Sequence, residues 1–364
     1  MKISSDLSLC ICTYQRVHLL ERLLLDVFKQ TLQPKTIIII DGDPQSGHVF
    51  EMLKTLNAPE NIQIYFIASN RANLAYQRYL GWRVAQDFEP LYFVYFDDDL
   101  HLAKPDALEK LVSPLAWDGK NIVGVTAETS TGDLSKFEES AALLAARRRT
   151  GERDPFLVRL FGAASQVEPG GLSPSGHRKA PIRNNIGWAT VKWLQGRVMA
   201  YAFTAIQREC FSDDFFALTK IRCGLGEDTF LSMRIGAAGS MIYLFDAGFD
   251  HPDDALPNAY PIKAYHLGYA TAYSRRLLND NYRPFQSPTF SQRFALWKSY
   301  LGTSLLNWWN VLRYRQSYRL AYAWGYTLGA LRGLLQKPTA QNLTPDINWW
   351  ADAEEALSRK VIVR

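Results

Sequence analysis

Three consecutive carboxylates, Asp97, Asp98 and Asp99, close the apolar run Leu91–Phe96. Acids placed side by side raise one another's pKa, so a cation is expected to compensate them. Oxygen donors at such a spot suit Mg2+ or Mn2+. The plain alternative is a solvated acidic turn whose aspartate caps a following helix. Other acids recur in similar settings. Asp41 and Asp43 follow the β-branched run Thr36–Ile40. Glu227 and Asp228 follow Gly226 and open a stretch in which Leu231 and Ile235 are spaced to share a helical face. There the plain reading is that carboxylates in a first helical turn complement the helix dipole.

Positioning such residues requires strands that end at one place. Leu7–Thr13, Thr36–Ile40, Ile62–Ile67 and Leu91–Phe96 are short and apolar or β-branched, as buried strands of a parallel sheet are. Val17–Gln30, Val49–Leu56 and Ala72–Val84 between them carry helical spacing of apolar residues. Regular alternation of strand and helix predicts an α/β fold with right-handed crossovers, and ligands of open α/β sheets bind at the strands' carboxyl ends. The acids of the triplet and of Asp41–Asp43 fall at such ends. Helix Pro105–Val112 and strands Ile122–Ala127, Gly196–Thr204 and Met241–Phe245 follow, with an Ala-rich helix Ala141–Arg149 and a Gly/Pro/Ser loop Glu168–Gly176 between. Arg147, Arg148 and Arg149 either solvate that helix end or touch a phosphate.

From Pro261 helices are expected to replace strands: Ile262–Leu278, Phe294–Val311, Tyr314–Leu335 and a terminal helix Asn348–Arg364. Ser274-Arg275-Arg276 at the end of the first is either a solvated helix end or a cationic contact to a leaving group. Between Asn281 and Pro338 stand eight basic residues and no acid, interleaved with Trp297, Trp308, Trp309 and Trp324. Aromatic and basic side chains without acids describe a helix in an anionic lipid interface, or helices packed on the rest of the chain or a second subunit with snorkelling cations. Nucleic acid is not an expected partner, since no recognisable binding module accompanies the charge. Net charge is +5, 47% of the 364 residues are hydrophobic and 21% charged, which excludes a disordered chain. Four cysteines, Cys10, Cys12, Cys210 and Cys223, are too scattered for a disulfide scaffold and suit a reducing compartment. No signal peptide is expected before the first strand, and no apolar run reaches the roughly 18 residues of a membrane span. The expected location is cytoplasmic, with any membrane contact peripheral on the inner face.

In order and spacing, Cys12-Thr13-Tyr14-Gln15-Arg16, Asp41-Gly42-Asp43, Asn70–Gly81 with Arg78, Asp97-Asp98-Asp99 and Gly226-Glu227-Asp228 resemble the motif set of family 2 glycosyltransferases with the GT-A fold. The resemblance spans about two thirds of the chain. Gln15 and Arg16 stand where Asn-Arg is usual in that family, and Asn73 where Gly is frequent. It implies a GT-A catalytic domain over 1–254, with a nucleotide-sugar half over about 1–127 and an acceptor half over about 128–254, and a helical extension over 255–364. It further implies that Thr13, Tyr14, Arg16, Asp41 and Asp43 hold the nucleotide base and ribose and that Arg78 lies near the diphosphate. Asp97 and Asp98 then belong to the donor site, with Asp97 also near the metal and Asp98 turned away from it. Asp99 is the expected direct ligand of Mn2+ or Mg2+. Asp228 is the expected general base, with Glu227 orienting it or binding the acceptor, and one base opposite the leaving group implies inversion. His251 lies 251 − 228 = 23 residues beyond that base, where relatives often complete the metal shell. His266 is a weaker competitor. Trp188 and Trp193 are either acceptor platforms or core.

The implied function is transfer of a sugar from a nucleotide diphosphate sugar, UDP favoured, to a glycan or lipid-linked acceptor, by a chain that can also form a homo-oligomer. A nucleotidyltransferase is the enzymatic rival, but it usually needs a Gly-rich phosphate loop, and Thr13–His18 contains no glycine. A non-catalytic lipid- or glycan-binding scaffold on the same fold is the rival from another class.

Overall fold

The computed structural model describes residues 4–130, 167–221, 226–251 and 261–363. The expected helix Ala141–Arg149, its three arginines and Cys223 lie outside them. Strand β1 (Leu7–Thr13) is buried along its whole length, and its residues alternate between two cores. Leu7, Leu9 and Ile11 join one, Cys10 and Cys12 the other. Strands β2 (Thr36–Asp41), β3 (Gln63–Ala68) and β4 (Tyr92–Asp97) divide in the same way, which is why their sequences are apolar without a polar face.

Helices α1 (Val17–Phe28), α2 (His48–Thr55) and α3 (Leu74–Ala85) connect these four strands, which pair in parallel in the order β3-β2-β1-β4. The chain steps outward from β1 to β3 and then returns to β1's other side, so the switch point of the sheet lies between β1 and β4. There a crevice opens at the carboxyl ends. Helix α3 crosses β1 closely: a Cβ on Gly81 would lie 2.2 Å from Cys10 Sγ. That approach carries Gln77 and Arg78, one turn earlier, over the strand ends.

The rest of the sheet is mixed. After β5 (His101–Leu102) and α4 (Ala107–Val112) come β6 (Ile122–Ser130), β7 (Trp188–Val191) and β8 (Val198–Ala202). Then follow α5 (Asp213–Ala217), α6 (Glu227–Ile235) and β9 (Ser240–Asp250). Strand β8 lies antiparallel between β4 and β6, β6 pairs in parallel with β9, and β9 also carries β7 and β5 antiparallel.

The C-terminal part contains α7 (Pro261–Asp280), α8 (Phe290–Tyr314), α9 (Ser317–Leu335), α10 (Ala340–Leu343) and α11 (Trp349–Ser358). Helix α8 begins four residues before the expected Phe294, because Thr289 and Gln292 form a capping box. The expected terminal helix is shorter than Asn348–Arg364. After Ser358 the chain enters β10 (Val361–Ile362), which pairs antiparallel with the open edge of β3, so strands do not stop at Pro261. The β-branched run Val361-Ile362-Val363 suits an extended edge better than a helix. Trp349 of α11 is buried against Tyr76 and Phe216, fastening the end of the chain to α3 and α5.

Candidate active site

At the switch point a cleft of about 510 Å3 is lined by Cys12, Thr13, Tyr14, Arg16, Leu74, Gln77 and the three aspartates, among others. Its floor follows from strand register: Cys12 lies opposite Asp97 across the β1–β4 pair, and Thr13 opposite Asp41 across β1–β2. Gln77 ties the two strand ends together by donating to Thr13 O at 3.2 Å and Ile40 O at 3.0 Å. Tyr14 is half exposed at the cleft's edge. Beyond it Gln15 takes a left-handed φ of 58° and donates through its side chain to Asp43 Oδ2 at 2.9 Å. Asp41 is buried; its Oδ1 accepts from the Asp43 N–H at 2.9 Å, and its Oδ2 meets no hydrogen-bond donor. Burial pushes its pKa up.

The three aspartates diverge. Asp98 turns to β1 and accepts from Thr13 Oγ1 at 2.8 Å and from the Arg16 guanidinium at 3.3 Å. Asp99 Oδ2 accepts from the same guanidinium at 2.8 Å, while its Oδ1 lies 3.0 Å from His251 Nε2. Asp97 meets Arg78 at 3.4 Å. Asp97, Asp99 and His251 each present one ligand atom, all within 4.8 Å of one another. Burial drives the Asp97 pKa up to about 6 and the neighbouring aspartates add to this, against the pull of Arg78. Burial also acts on Asp99, but the His251 hydrogen bond and the charges of His251 and Arg16 outweigh it and hold its pKa low. Two carboxylates and an imidazole, one carboxylate undercompensated, are a donor set that fits a divalent cation. His266 is not among them; it lines a separate cavity of about 320 Å3 with Lys220, Tyr269 and Arg332.

Arg78 is the electrostatic centre of the inner wall. Buried by the α3–β1 approach, it donates to Gly196 O at 2.9 Å and pairs with Asp97 and, at 3.3 Å, with Glu227. Helix α6 begins here, at Gly226 with a φ of 101°, and so delivers Glu227 and Asp228 together. The two acids differ. Asp228 accepts from Arg178 at 3.0 Å, the Gly196 N–H at 3.1 Å and the Thr229 N–H at 2.6 Å. Those partners and the charge of Arg78 overcome its burial and lower its pKa. Glu227 has one oxygen on Arg78 and the other, Oε2, buried with no hydrogen-bond donor. Burial, then the charge of Asp228, drives its pKa up to about 7 in spite of Arg78.

The tryptophans part company. Trp193 is buried under the Arg178 guanidinium, 5.1 Å from its ring centre, on the Asp228 side. Trp188 packs 5.4 Å from Trp117 with the Lys120 ammonium over its ring. Arg275 and Arg276 do neither of the things expected of them: Arg275 donates to Tyr326 Oη at 2.6 Å, and Arg276 donates to Gly333 O and pairs with Asp280. Arg276 is committed to helix packing, and Arg275 also lies 3.2 Å from His177 Nε2, in the loop that carries Arg178. Arg178 was not anticipated; it follows the Gly/Pro/Ser loop, and no spacing in the sequence marks it. Gly196 was also missed. A Cβ there would stand 3.2 Å from both Arg78 and Asp228, so the bare backbone is what lets the two side chains share it.

Residues 8–161, somewhat under half of the chain, match the family model described as glycosyl transferase family 2. No curated protein matches the chain significantly. Among solved structures, the chain is similar to the mannosyltransferase PcManGT from Pyrobaculum calidifontis in complex with GDP-Man and Mn2+, at 15% identity over 90% of this chain and 87% of that one, with a TM-score of 0.47. It is also similar to S. aureus TarS 1–349 in complex with UDP, at 13% identity over 90% and 91% of the two chains and a TM-score of 0.42. A third likeness is to glucosyl-3-phosphoglycerate synthase from Mycobacterium tuberculosis in complex with phosphoglyceric acid, at 14% identity, 74% and 79% coverage and a TM-score of 0.35.

Proposed function

We propose that this chain, a glycosyltransferase whose residues 8–161 match the glycosyl transferase family 2 model, moves a sugar from a nucleotide diphosphate sugar to a glycan or lipid-linked acceptor with inversion. The observation that carries the reading is the convergence, at one sheet switch point, of the Asp97–Asp99–His251 group, the buried Arg78 and the Glu227–Asp228 pair. The nucleotide would lie in the cleft of Thr13, Tyr14 and Arg16, with Asp41 and Asp43 at its far end; UDP is the favoured nucleotide. Asp97, Asp99 and His251 would hold Mn2+ or Mg2+, which when bound offsets negative charge on the diphosphate. Arg78, fixed between two acids, adds a cation that needs no reorganisation as charge develops on the leaving group. Asp98 acts indirectly by holding Arg16 and Thr13 in place.

Asp228 is the proposed base. Its carboxylate is occupied by Arg178, so an acceptor hydroxyl must take that guanidinium's place before it can give up its proton. A second reading has its own observation: Glu227, with a pKa near neutrality and a free Oε2, is better matched to proton transfer at neutral pH. Trp193, buried beneath Arg178, would offer its ring to an acceptor only once that guanidinium moves. The proposed division into a catalytic part over 1–254 and an extension over 255–364 describes the course of the chain; α11 and β10 of the extension return to the catalytic sheet. No helix among the described residues is long and apolar enough to cross a membrane. The proposed setting is the cytoplasmic face of a membrane.

The test is nucleotide release from a panel of UDP- and GDP-sugars with Mn2+ and candidate acceptors. Asp99→Ala and Asp228→Asn are each expected to lower turnover by about 10²- to 10⁴-fold. Wild-type turnover in both would refute the site. If instead Glu227→Gln abolishes transfer and Asp228→Asn retains it, the base is Glu227.

A further inference from the structure

Helix α8 is apolar on its outer face as well as its inner one. Phe290, Phe294, Trp297, Leu301, Leu305 and Trp309 recur every three or four residues on one face, and each is 43–75% exposed. The opposite, inner face buries Leu296 and Tyr300 in a small hydrophobic cluster together with Gln292, Ser299 and Gly302, and the side chains of Thr303 and Asn307 each bury a polar atom there. A helix on a water-facing surface carries charged and polar residues on its outer face instead. Helix α9 extends the apolar face with Leu320 and Trp324, both about half exposed. Six large apolar side chains in one row on one helix need a cover.

We propose that this face of α8 and α9 lies in the interfacial plane of an anionic lipid membrane. Charge selects that occupant. The exposed Lys298, Arg313 and Arg315 rim the stripe, and from 281 to 338 the sequence contains no acid. A two-fold contact with a second copy would set the same patch against itself and bring basic side chains together without acids to meet them. Anionic headgroups provide what the rim lacks, and Trp is at home at the depth where they begin. Helix α8 has 25 residues and so is about 37 Å long, yet it is not a span, which leaves it lying along the surface with its apolar side down. The inner face links this helix to the site. Ser299 Oγ lies 2.7 Å from His177 Nε2, and the next residue, Arg178, is the one that occupies Asp228. Helix α8 thus stands between the lipid surface and the loop that guards the acid pair.

The inference deepens the proposed acceptor, but its test needs neither donor nor turnover, so the two can fail separately. The full chain is floated with phosphatidylcholine vesicles and with mixed phosphatidylcholine–phosphatidylglycerol vesicles, at low and high salt. Binding is expected to the mixed vesicles, weakening with salt. A Trp297→Ser, Leu301→Ser double variant should partition at least about tenfold less while its circular dichroism and nucleotide binding stay as in the wild type. Absence of binding to either vesicle would overturn the proposal, as would unchanged binding by the variant. So would a dimer in sedimentation equilibrium that the same substitutions dissolve while the wild type ignores vesicles.

Discussion

Glu227 carries the least comfortable charge in the site. Its folded pKa of about 7 lies above the ordinary glutamate value of 4.5, so between those values the folded state holds a proton that the unfolded chain has released. Unfolding free energy is therefore expected to fall as pH rises from about 4.5 to about 7, by an amount on the order of 3 kcal/mol. Glu227→Gln, which is neutral at every pH and keeps the shape, should flatten that part of the profile in urea titrations of the metal-free protein. An unchanged slope in the variant would assign the effect to Asp97, whose pKa is raised in the same direction. Asp228 and Asp99 should contribute with the opposite sign, since their pKa values are lowered and their stabilisation is lost only as pH falls into the acid range. None of this division was legible in the motif. Glu227 and Asp228 are adjacent in sequence, and what separates them is Arg178, supplied by a loop 50 residues away.

At the scale of elements, two close approaches set the architecture. One is α3 on β1 at Gly81, which places Arg78. The other is α7 on α9, where a Cβ on Gly325 or Gly329 would stand 2.1 or 2.3 Å from a backbone oxygen of α7, at Tyr265 or Tyr269. Side chains cannot be accommodated by rotamer change when the obstacle is backbone. Gly329→Leu is expected to destabilise the protein by about 1–3 kcal/mol or more, read as a lower thermal midpoint. A midpoint equal to the wild type's would show that the helix pair tolerates separation and that α8 and α9 are not held as a rigid platform. The Gly325, Gly329 and Gly333 spacing stood in the sequence, but it announces a close crossing without naming the partner helix. The capping box at Thr289 is equally visible there and starts α8 one turn before Phe294.

Across the whole molecule, what could be read locally was read well. Strands β1 to β4 are buried on both faces, so their apolar runs identify them, and their parallel order follows from the intervening helices. The order of β8, β6 and β9 depends on pairings between segments far apart in the chain, and no local pattern encodes them. Edge strand β10 is marked locally by its β-branched residues, but its partner, β3, lies some three hundred residues earlier and no local pattern names it. The acids at the strand ends are legible because burying charge beside apolar runs is costly wherever it occurs, whereas Arg178, Gly196 and the exposed apolar face of α8 acquire meaning only from their neighbours in space.

The central claim is that the crevice between β1 and β4 binds a nucleotide diphosphate together with a divalent cation. Calorimetric titration of UDP and of GDP into the protein, with and without Mn2+ and at low salt, tests it most directly. The account predicts binding of one nucleotide that requires Mn2+ and is lost in Asp99→Ala. Failure of both nucleotides to bind the folded protein in the presence of Mn2+, or equal binding without it, would contradict the account.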